Sequence, residues 1–208
     1  MHIPVLLKEV LYYLDPHSGD NFIDATIGDG GHALAILEKI KPDGKILGID
    51  RDPEQIKKLK ALSLKSQALR NLILVCDTFA NLKNIVARYK FWPIHGILFD
   101  LGMSAWHLEE SGRGFSFLRD EPLDMRYCPE SGRFTAKDIV NQWRAEDIER
   151  ILKEYGQERF ARRIALKIIQ MRKKKPIQTT SQLVDIIKKS TPTWYHHRKI
   201  HPATRTFQ

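Results

Sequence analysis

A glycine-rich segment and an acidic residue further along the chain are the features of this sequence best suited to binding a small molecule. The segment Gly28–His32 reads Gly-Asp-Gly-Gly-His and follows an apolar run. Glycines let a ligand approach the backbone, and the free N–H groups at the start of a helix can bind it. Asp50 closes the next apolar run, where a carboxylate can accept both ribose hydroxyls of a nucleoside. The pair indicates a nucleoside cofactor, although a tight turn and a helix-capping acid would leave the same pattern.

The spacing and charge of this segment favour S-adenosylmethionine over a dinucleotide. The segment lacks the G-x-G-x-x-G spacing that packs a pyrophosphate against a helix, and Asp29 would repel a phosphate. S-adenosylmethionine has no phosphate and carries a sulfonium and an ammonium, which suit carboxylates at Asp24 and Asp29. The sequence therefore favours a methyltransferase over a nicotinamide-dependent dehydrogenase.

Two later apolar runs also end in residues that can contact a nucleoside or its reaction partner. Asp77 and Phe79 follow the third run, and Phe79 either lines an adenine ring or packs in the core. Asp100 follows the fourth run. A carboxylate there can accept a hydrogen bond from an exocyclic amine and make its nitrogen more nucleophilic, while positioning supplies much of the rate. Asp100 is therefore the candidate catalytic residue.

The elements that must position these residues alternate between strand and helix. A parallel sheet with right-handed crossovers follows from that alternation, and the nearly continuous apolar character of the strands fits burial on both faces. Asp52 and Pro53 predict an N-cap and a first helical residue. The predicted strands are Asn21–Ile27, Lys45–Ile49, Asn71–Val75 and Ile94–Phe99, and the helices between them include Ala33–Ile40 and Leu82–Tyr89.

The pattern becomes helical after about Gly102 and a loop without clear periodicity. Thr135 and Asp138 have the spacing of a capping box, which predicts a helix to Trp143. Further helices are predicted over Glu146–Tyr155, over Glu158–Lys174, and from a cap at Thr180 to about Lys189.

Charge is concentrated at one end of the chain. The net charge is +9, yet residues 159–208 contain 13 Lys and Arg and a single acid, Asp185. Such a segment suits an anionic partner, above all nucleic acid, whose phosphates are neutralised by Lys and Arg. A solvated basic helix face is the alternative. The candidates for phosphate contacts are Arg159, Arg162, Arg163, Arg172, Lys173, Lys174 and Lys175.

Composition excludes several classes of protein. Apolar residues make up 42% of the 208 positions, enough for a real core and too many for a disordered chain. No apolar run approaches the roughly 20 residues of a membrane span, and no secretory signal is visible at the N-terminus. The histidines near residue 200 lack partners at metal-ligand spacing. We therefore expect a cytoplasmic protein that uses neither a membrane nor a metal.

Eight strings along the chain carry a resemblance to a known family: His2–Val10, Asp24–His32, Gly48–Pro53, Gly96–Gly102, Arg113–Phe117, Pro122–Arg126, Tyr155–Ala165 and His201–Gln208. Taken in order, they resemble the bacterial 16S rRNA cytosine-N4 methyltransferase family, which also has a mitochondrial relative. The resemblance extends over the whole chain.

This resemblance implies a fold, a reaction and a partner. It implies the class I S-adenosylmethionine-dependent methyltransferase fold, a Rossmann-like parallel sheet with an inserted helical domain. The expected reaction moves a methyl group from S-adenosylmethionine to the exocyclic N4 amine of a cytosine in the decoding region of small-subunit rRNA. The expected partner is that rRNA or the assembling 30S subunit. A non-catalytic, basic RNA-binding module is the alternative, but it leaves the glycine segment and Asp50 without a purpose.

The resemblance also implies a domain plan. Residues 1–104 are expected to form the cofactor-binding domain, residues 105–197 a loop and helical substrate-recognition domain, and residues 198–208 the start of a helix returning to the α/β domain. Family members continue for about a hundred residues. We therefore expect a C-terminally truncated chain that lacks the last strands, with poor stability and doubtful activity.

Individual site residues follow from their positions in the matched strings. Gly30, Gly31 and His32 are expected to contact the methionine part of the cofactor, Asp50 the ribose and Phe79 the adenine, with Asp100 and His107 completing the pocket. The family usually has Gln in place of His107 and Gly in place of Glu121. A loop of aromatics and arginines is expected to seat the cytosine, unless Phe115 and Phe117 simply pin it in the core. The substrate-binding candidates are Arg113, Phe115, Asp124, Arg126 and Arg205.

Overall fold

The structure is a computed structural model that describes residues 4–64, 69–132 and 134–208. His2 and Ile3, which open the first of the matched strings, lie outside the described residues. The chain divides into two compact units, Met1–Ser104 and Ala105–Gln208. Each unit has its own hydrophobic core.

A parallel sheet forms the centre of the first unit, as the strand–helix alternation predicts. Within the described residues it contains β1 (Asn21–Asp24), β2 (Lys45–Asp50), β3 (Leu72–Cys76) and β4 (Gly96–Leu98). The spatial order is β3-β2-β1-β4, and every pairing is parallel. β1 therefore lies in the interior of the sheet, and the carboxyl ends of all the strands lie along one edge.

Successive strand residues pack into different cores, which explains the unbroken apolar runs. Phe22 and Ile46 belong to a cluster with side chains of α2 (Gly31–Ile40) and α3 (Pro53–Ser63). Ile23 belongs to a second cluster with side chains of α4 (Leu82–Tyr89). Alternate residues of a strand point to opposite faces, so both faces of the sheet are covered.

The local signals at two helix starts are confirmed. Asp52 caps α3 by accepting the Glu54 N–H at 2.9 Å, and Pro53 is the first helical residue. In the second unit, Thr135 and Asp138 form both hydrogen bonds of a capping box. The helix that precedes the sheet, α1 (Leu7–Leu14), has no side-chain cap and is not among the predicted helices.

Helices make up the regular structure of the second unit. Its core includes Ile148, Ile164, Ile168 and Ile187, all essentially inaccessible to solvent. Ala203 and Phe207 belong to the same core, so the end of the chain packs within this unit. The helices are α5 (Ala105–Glu109), α6 (Ala136–Gln142), α7 (Ala145–Glu154), α8 (Ala161–Arg172), α9 (Thr180–Ser190), α10 (Thr193–His196) and α11 (Thr204–Phe207).

Several predicted boundaries are wrong, among them both ends of β4, and three of the differences are explained by a side chain that bonds to the backbone. β1 ends at Asp24 and not at the predicted Ile27, because the Asp24 carboxylate accepts the Thr26 N–H at 3.2 Å and turns the backbone there. α8 begins at Ala161 and not at Glu158, because the Glu158 carboxylate accepts the Phe160 N–H at 2.8 Å. The N-cap of α9 is Thr179 and not the predicted Thr180, because the Thr180 hydroxyl donates to the Arg119 carbonyl.

In the described residues, no helix combines the length and apolarity that a membrane crossing requires.

Candidate functional site

Three of the predicted carboxylates lie where strands of the first unit end. Asp24 closes β1, Asp50 closes β2, and Asp100 follows β4 by two residues. Asp24 is almost completely buried. Its pKa is raised to about 7, chiefly by burial and also by the negative charges of Asp50 and Asp100, while the hydrogen bond from the Thr26 N–H lowers it. The strand ends therefore form an acidic site whose electrostatics favour a bound cation.

Asp50 is held by the backbone on both of its oxygens. The Gly28 N–H donates to Oδ2 at 2.9 Å, and the Asp52 N–H donates to Oδ1 at 2.8 Å. A carboxylate oxygen can accept more than one hydrogen bond, so these two bonds do not by themselves exclude a ligand hydroxyl. The arrangement fixes the acid next to the glycine segment, as nucleoside binding requires.

Thr26 links the end of β1 to the residue after β4. Its hydroxyl accepts the Asp100 N–H at 2.7 Å, while its own N–H donates to Asp24. Thr26 thus positions the backbone of the candidate catalytic residue. Thr26 is not among the predicted site residues, although its place two residues after a strand-end acid is the signal that points to it.

The glycine segment forms the start of α2, with a positive φ of 83° at its N-cap, Gly30. A Cβ at Gly31 would lie 2.5 Å from Pro4 Cγ, so a larger residue does not fit there. The ring of His32 is buried, and its Nε2 lies 2.8 Å from the Val5 carbonyl oxygen. The first turn of α2 therefore offers backbone N–H groups, and this imidazole nitrogen is engaged with the chain.

Phe79 lies on the surface of the first unit and is not a core residue. Its ring is 45% exposed and stands edge-on to the ring of Phe99, with 5.7 Å between their centroids. Asp77 accepts the Thr78 N–H and the Asn81 side-chain amide, which fixes the loop after β3. An exposed aromatic pair beside strand ends can pack on a planar ligand.

Gln55 is a polar residue of the first unit that the sequence analysis missed. Its side chain is fully buried, and its Nε2 lies 3.4 Å from the Ser104 hydroxyl. Its Oε1 has no hydrogen-bond partner among the residues the structure describes. A Cβ built at Gly28 would be 3.9 Å from the Cβ of Ser104, so this amide lies near the glycine segment. Gln55 lies one turn after the capped start of α3, and nothing in the sequence around it indicates that its side chain is buried.

His107 lies in the second unit, buried in a cluster of aromatic rings. Its ring centroid is 5.2 Å from those of Trp106 and Phe115 and 4.8 Å from that of Tyr127. Only 3% of the residue is exposed. Phe115 is likewise buried, and Phe117 packs on the helical core and stacks on His201 at 4.8 Å. Of the two predicted roles for Phe115 and Phe117, their packing corresponds to fixing the loop in the core.

The charged substrate-binding candidates of this loop bond to one another and to the backbone. Arg126 binds the Asp124 carboxylate with two nitrogens, at 2.8 and 2.6 Å, which holds the pKa of Asp124 below its usual range. Arg113 donates to the Tyr127 carbonyl at 3.0 Å and lies 5.1 Å from the centre of the Trp106 ring. These side chains give the loop a fixed shape.

Glu121 has a structural task at the position where the resemblance leads one to expect glycine. Its carboxylate accepts the Gly114 N–H at 2.8 Å, and its own N–H donates to the Thr180 hydroxyl at 3.0 Å. Gly114 has a φ of 80°, and a Cβ there would overlap the carbonyl group of Pro122. The loop therefore requires glycine at 114 for both conformation and space.

We expect Gly114→Ala to lower the free energy of unfolding by about 3 kcal/mol, because left-handed strain adds to a backbone clash. Gly112→Ala is the matched control, since Gly112 has a φ of 64° with nothing near its Cβ position. The control should lose only about 1 kcal/mol, the cost of the conformation alone. Urea unfolding of both variants measures the difference, and equal losses would contradict the clash.

Two predicted cationic contacts with RNA have partners within the protein. Arg172 donates to the Val140 and Trp143 carbonyls at 3.1 and 2.6 Å, and so ties α8 to the end of α6. Arg205 donates to the Gln157 carbonyl at 2.9 Å but also lines a cavity. By contrast, Arg159, Arg162 and Arg163 are exposed.

Within the described ranges, no group of three or more His, Cys, Asp or Glu residues could hold a metal ion.

Comparison with known proteins gives a consistent set of matches. Residues 1–208 match the model of the MraW methylase family. The chain is 44% identical over 211 aligned residues to a protein of Dehalococcoides mccartyi strain 195 named ribosomal RNA small subunit methyltransferase H. Proteins of the same name from Trichlorobacter lovleyi and from Clostridium botulinum strain Loch Maree are 42% and 41% identical. All of this chain is covered, but only 57% of the first relative and 65% of the other two.

Solved structures resemble the chain more weakly. A crystal structure described as a putative rRNA-methylase from Clostridium thermocellum matches with a TM-score of 0.42 and 21% identity, over 50% of this chain and 54% of that one. An rRNA methylase from Streptococcus thermophilus matches with a TM-score of 0.39 and 22% identity, over 49% and 58%.

Proposed function

The chain belongs to the MraW methylase family, and from this premise we propose that it binds S-adenosylmethionine and methylates small-subunit ribosomal RNA. Its parallel sheet with covering helices is the α/β fold of class I S-adenosylmethionine-dependent methyltransferases. The chain spans 57–65% of the length of the curated relatives named above, whose names describe the same activity.

The acidic site at the strand ends is the observation that carries this proposal. A buried carboxyl with a pKa near 7 stands beside two further carboxylates, so a cation placed there would relieve their mutual repulsion. S-adenosylmethionine carries a sulfonium and an ammonium and has no phosphate for the acids to repel. The site therefore fits this molecule in the sign of its charge, and when bound the molecule supplies the methyl group.

Asp50 and α2 would hold the cofactor from two sides. The oxygens of Asp50, already oriented by the Gly28 and Asp52 N–H groups, would accept the ribose hydroxyls. Gly31 and His32 would meet the methionine part through their backbone N–H groups, since Nε2 of the His32 ring is at hydrogen-bond distance from the Val5 carbonyl oxygen. Gly30, whose own N–H donates to the Ile27 carbonyl at 2.7 Å, would let the methionine part approach because it has no side chain. Phe79 would cover the adenine with its exposed ring.

Asp100 would act on the methyl acceptor. Its backbone is fixed by Thr26, and its side chain lies on the exposed segment that follows β4. A carboxylate there would accept a hydrogen bond from the N4 amine of cytosine, which raises electron density on a weakly nucleophilic nitrogen. Alignment of amine and methyl group would supply much of the remaining rate. We propose this amine, in the decoding region, as the target.

The second unit would supply substrate recognition. Arg113, Phe115, Asp124 and Arg126 would act by holding the shape of a loop that recognises the RNA, since their side chains contact one another or the core. His107, which the resemblance assigns to the cofactor pocket, would support the same loop through its contacts with the surrounding aromatic rings. Arg205 would contact RNA from the cavity that it lines.

Titration of S-adenosylmethionine into the 208-residue chain by calorimetry tests the proposal, followed by incubation with small-subunit rRNA and mass spectrometry of its nucleosides. We expect S-adenosylmethionine to bind and N4-methylcytidine to appear, and we expect Asp100→Ala to lose the methylated product even at saturating S-adenosylmethionine. A folded chain that binds RNA and does not bind S-adenosylmethionine would contradict the proposal and favour a non-catalytic RNA-binding module.

A further inference from the structure

An exposed tryptophan flanked by arginines stands out on the helical unit. Trp194, in α10, is 48% exposed. The guanidinium carbon of Arg198 lies 5.3 Å from the centre of a Trp194 ring, and that of Arg159 lies 5.7 Å away. Arg159 is one of the predicted phosphate contacts, whereas Trp194 has no predicted role.

A rigid base holds the indole in place. Trp194 packs edge-on against Phe160 and Tyr195, with centroid separations of 5.9 and 5.8 Å. The hydroxyl of Tyr195 donates to the buried Glu158 carboxylate, which also accepts the Phe160 N–H. Aromatic surfaces fixed in this way stack on a ligand ring with little loss of side-chain freedom.

Arg159 and Arg198 flank the indole, and Lys199 lines a cavity beside Arg198. In the described parts of the chain, no carboxylate forms an ion pair with Arg159, Arg198 or Lys199. A cavity of about 250 Å³ adjoins them, lined by Tyr195, Arg198, Lys199, Ile200 and Arg205. Three of its five lining residues are cationic and none is acidic, so it suits an anion attached to a flat or apolar group.

We propose that Trp194 and this cavity form a binding site for an unpaired nucleotide of the RNA substrate, outside the acidic site. The base stacks on the indole, and Arg159, Arg198 and Lys199 contact the flanking phosphates. Arginine–indole contacts are weak at exposed positions, so a base can replace one guanidinium, which then turns to phosphate. Single-stranded RNA has the stackable bases that such a site needs, whereas paired bases keep their faces covered. The inference rests on the proposed function, because that function supplies the RNA.

Fluorescence anisotropy with a fluorescein-labelled, single-stranded RNA dodecamer tests this site. We expect Trp194→Leu to weaken binding about tenfold and Trp194→Phe to restore most of the affinity, because base stacking survives on a smaller ring. The salt dependence should stay unchanged in Trp194→Leu. Arg198→Gln should instead lower the slope of log affinity against log salt by about 0.7, the value for one phosphate contact on a single strand.

Arg144→Gln is the matched control, because Arg144 is an exposed arginine of the same unit that pairs with Asp147 at 3.1 Å. It should bind RNA like the parent chain. Circular dichroism confirms that each variant is folded. Trp194→Leu binding as tightly as the parent, or equal losses for single-stranded RNA and for a duplex of the same sequence, would overturn the proposal. So would a parent chain that binds no RNA, or polyglutamate competing as well as RNA.

The calorimetric titration separates this inference from the proposed function. If the chain binds S-adenosylmethionine and Trp194→Leu leaves the RNA affinity unchanged, only the Trp194 site is contradicted. If the chain does not bind S-adenosylmethionine and Trp194→Leu weakens RNA binding, the methyltransferase proposal is contradicted and the nucleotide site is supported.

Discussion

Asp50→Ala is expected to weaken S-adenosylmethionine binding by about 100-fold. The variant removes two hydrogen bonds from ribose hydroxyls to a charged acceptor, and a combined loss of about 3 kcal/mol corresponds to roughly that factor. It also removes the acceptor of the Gly28 and Asp52 N–H groups, which fixes the glycine segment. Isothermal titration calorimetry of parent and variant measures the change.

Asp43→Ala is the matched control for this experiment. Asp43 is an exposed acid in the turn before β2 of the same unit, so its removal changes the net charge equally. The control should bind like the parent. If Asp50→Ala bound S-adenosylmethionine as tightly as the parent, the proposed role of Asp50 would be refuted. If Asp50→Ala and Asp43→Ala lost the same affinity, the effect of Asp50 would come from net charge alone.

The contribution of Asp24 to the free energy of unfolding is expected to fall as the pH rises from about 4 to 7. The folded protein raises the pKa of Asp24 to about 7, whereas the unfolded chain has the ordinary value near 4. The native state therefore binds more protons across this window, and a higher pH favours unfolding. The difference of about 3 pKa units corresponds to about 4 kcal/mol, fully lost above pH 7.

Asp24→Asn isolates this effect, because it cannot ionise and still offers an oxygen to the Thr26 N–H. The stability of the variant relative to the parent should increase by about 4 kcal/mol between pH 4 and pH 8 and then level off. Urea unfolding across the pH range measures it, with exposed Asp43→Asn as the control that should show no such trend. Parallel profiles for Asp24→Asn and the parent would show that Asp24 ionises normally in the fold.

Local signals predicted much of the first unit because they need no knowledge of distant residues. Apolar runs closed by Asp50 and followed closely by Asp100 located the strand ends, and Asp52 with Pro53 located a helix start. The topology rule for parallel strands then placed these acids at one edge. The pKa of Asp24 could not be predicted in this way, because it depends on the depth of burial and on charges from two other strands.

Tertiary hydrogen bonds explain most of what the sequence did not predict. Thr26 gains its role from a partner 74 positions away, the N–H of Asp100. The helix that was predicted to begin at Glu158 begins only at Ala161, because the Glu158 carboxylate accepts hydrogen bonds from the Phe160 N–H and the Tyr195 hydroxyl. Arg172 has the charge of an RNA-binding residue but bonds to α6 carbonyls. In each case the residue type is visible in the sequence and the partner is not.

The interior position of β1 affects the order in which the chain acquires its structure during synthesis. Asn21 and His95, 74 positions apart, are joined by two hydrogen bonds, at 2.8 and 2.9 Å. Closing a loop of that length costs entropy before any contact compensates for it. In the second unit, α7, α8 and α9 pack against their neighbours along the chain. A ribosome must therefore release nearly half of the chain before β1 gains its second partner, whereas the helical unit can fold almost as fast as it emerges.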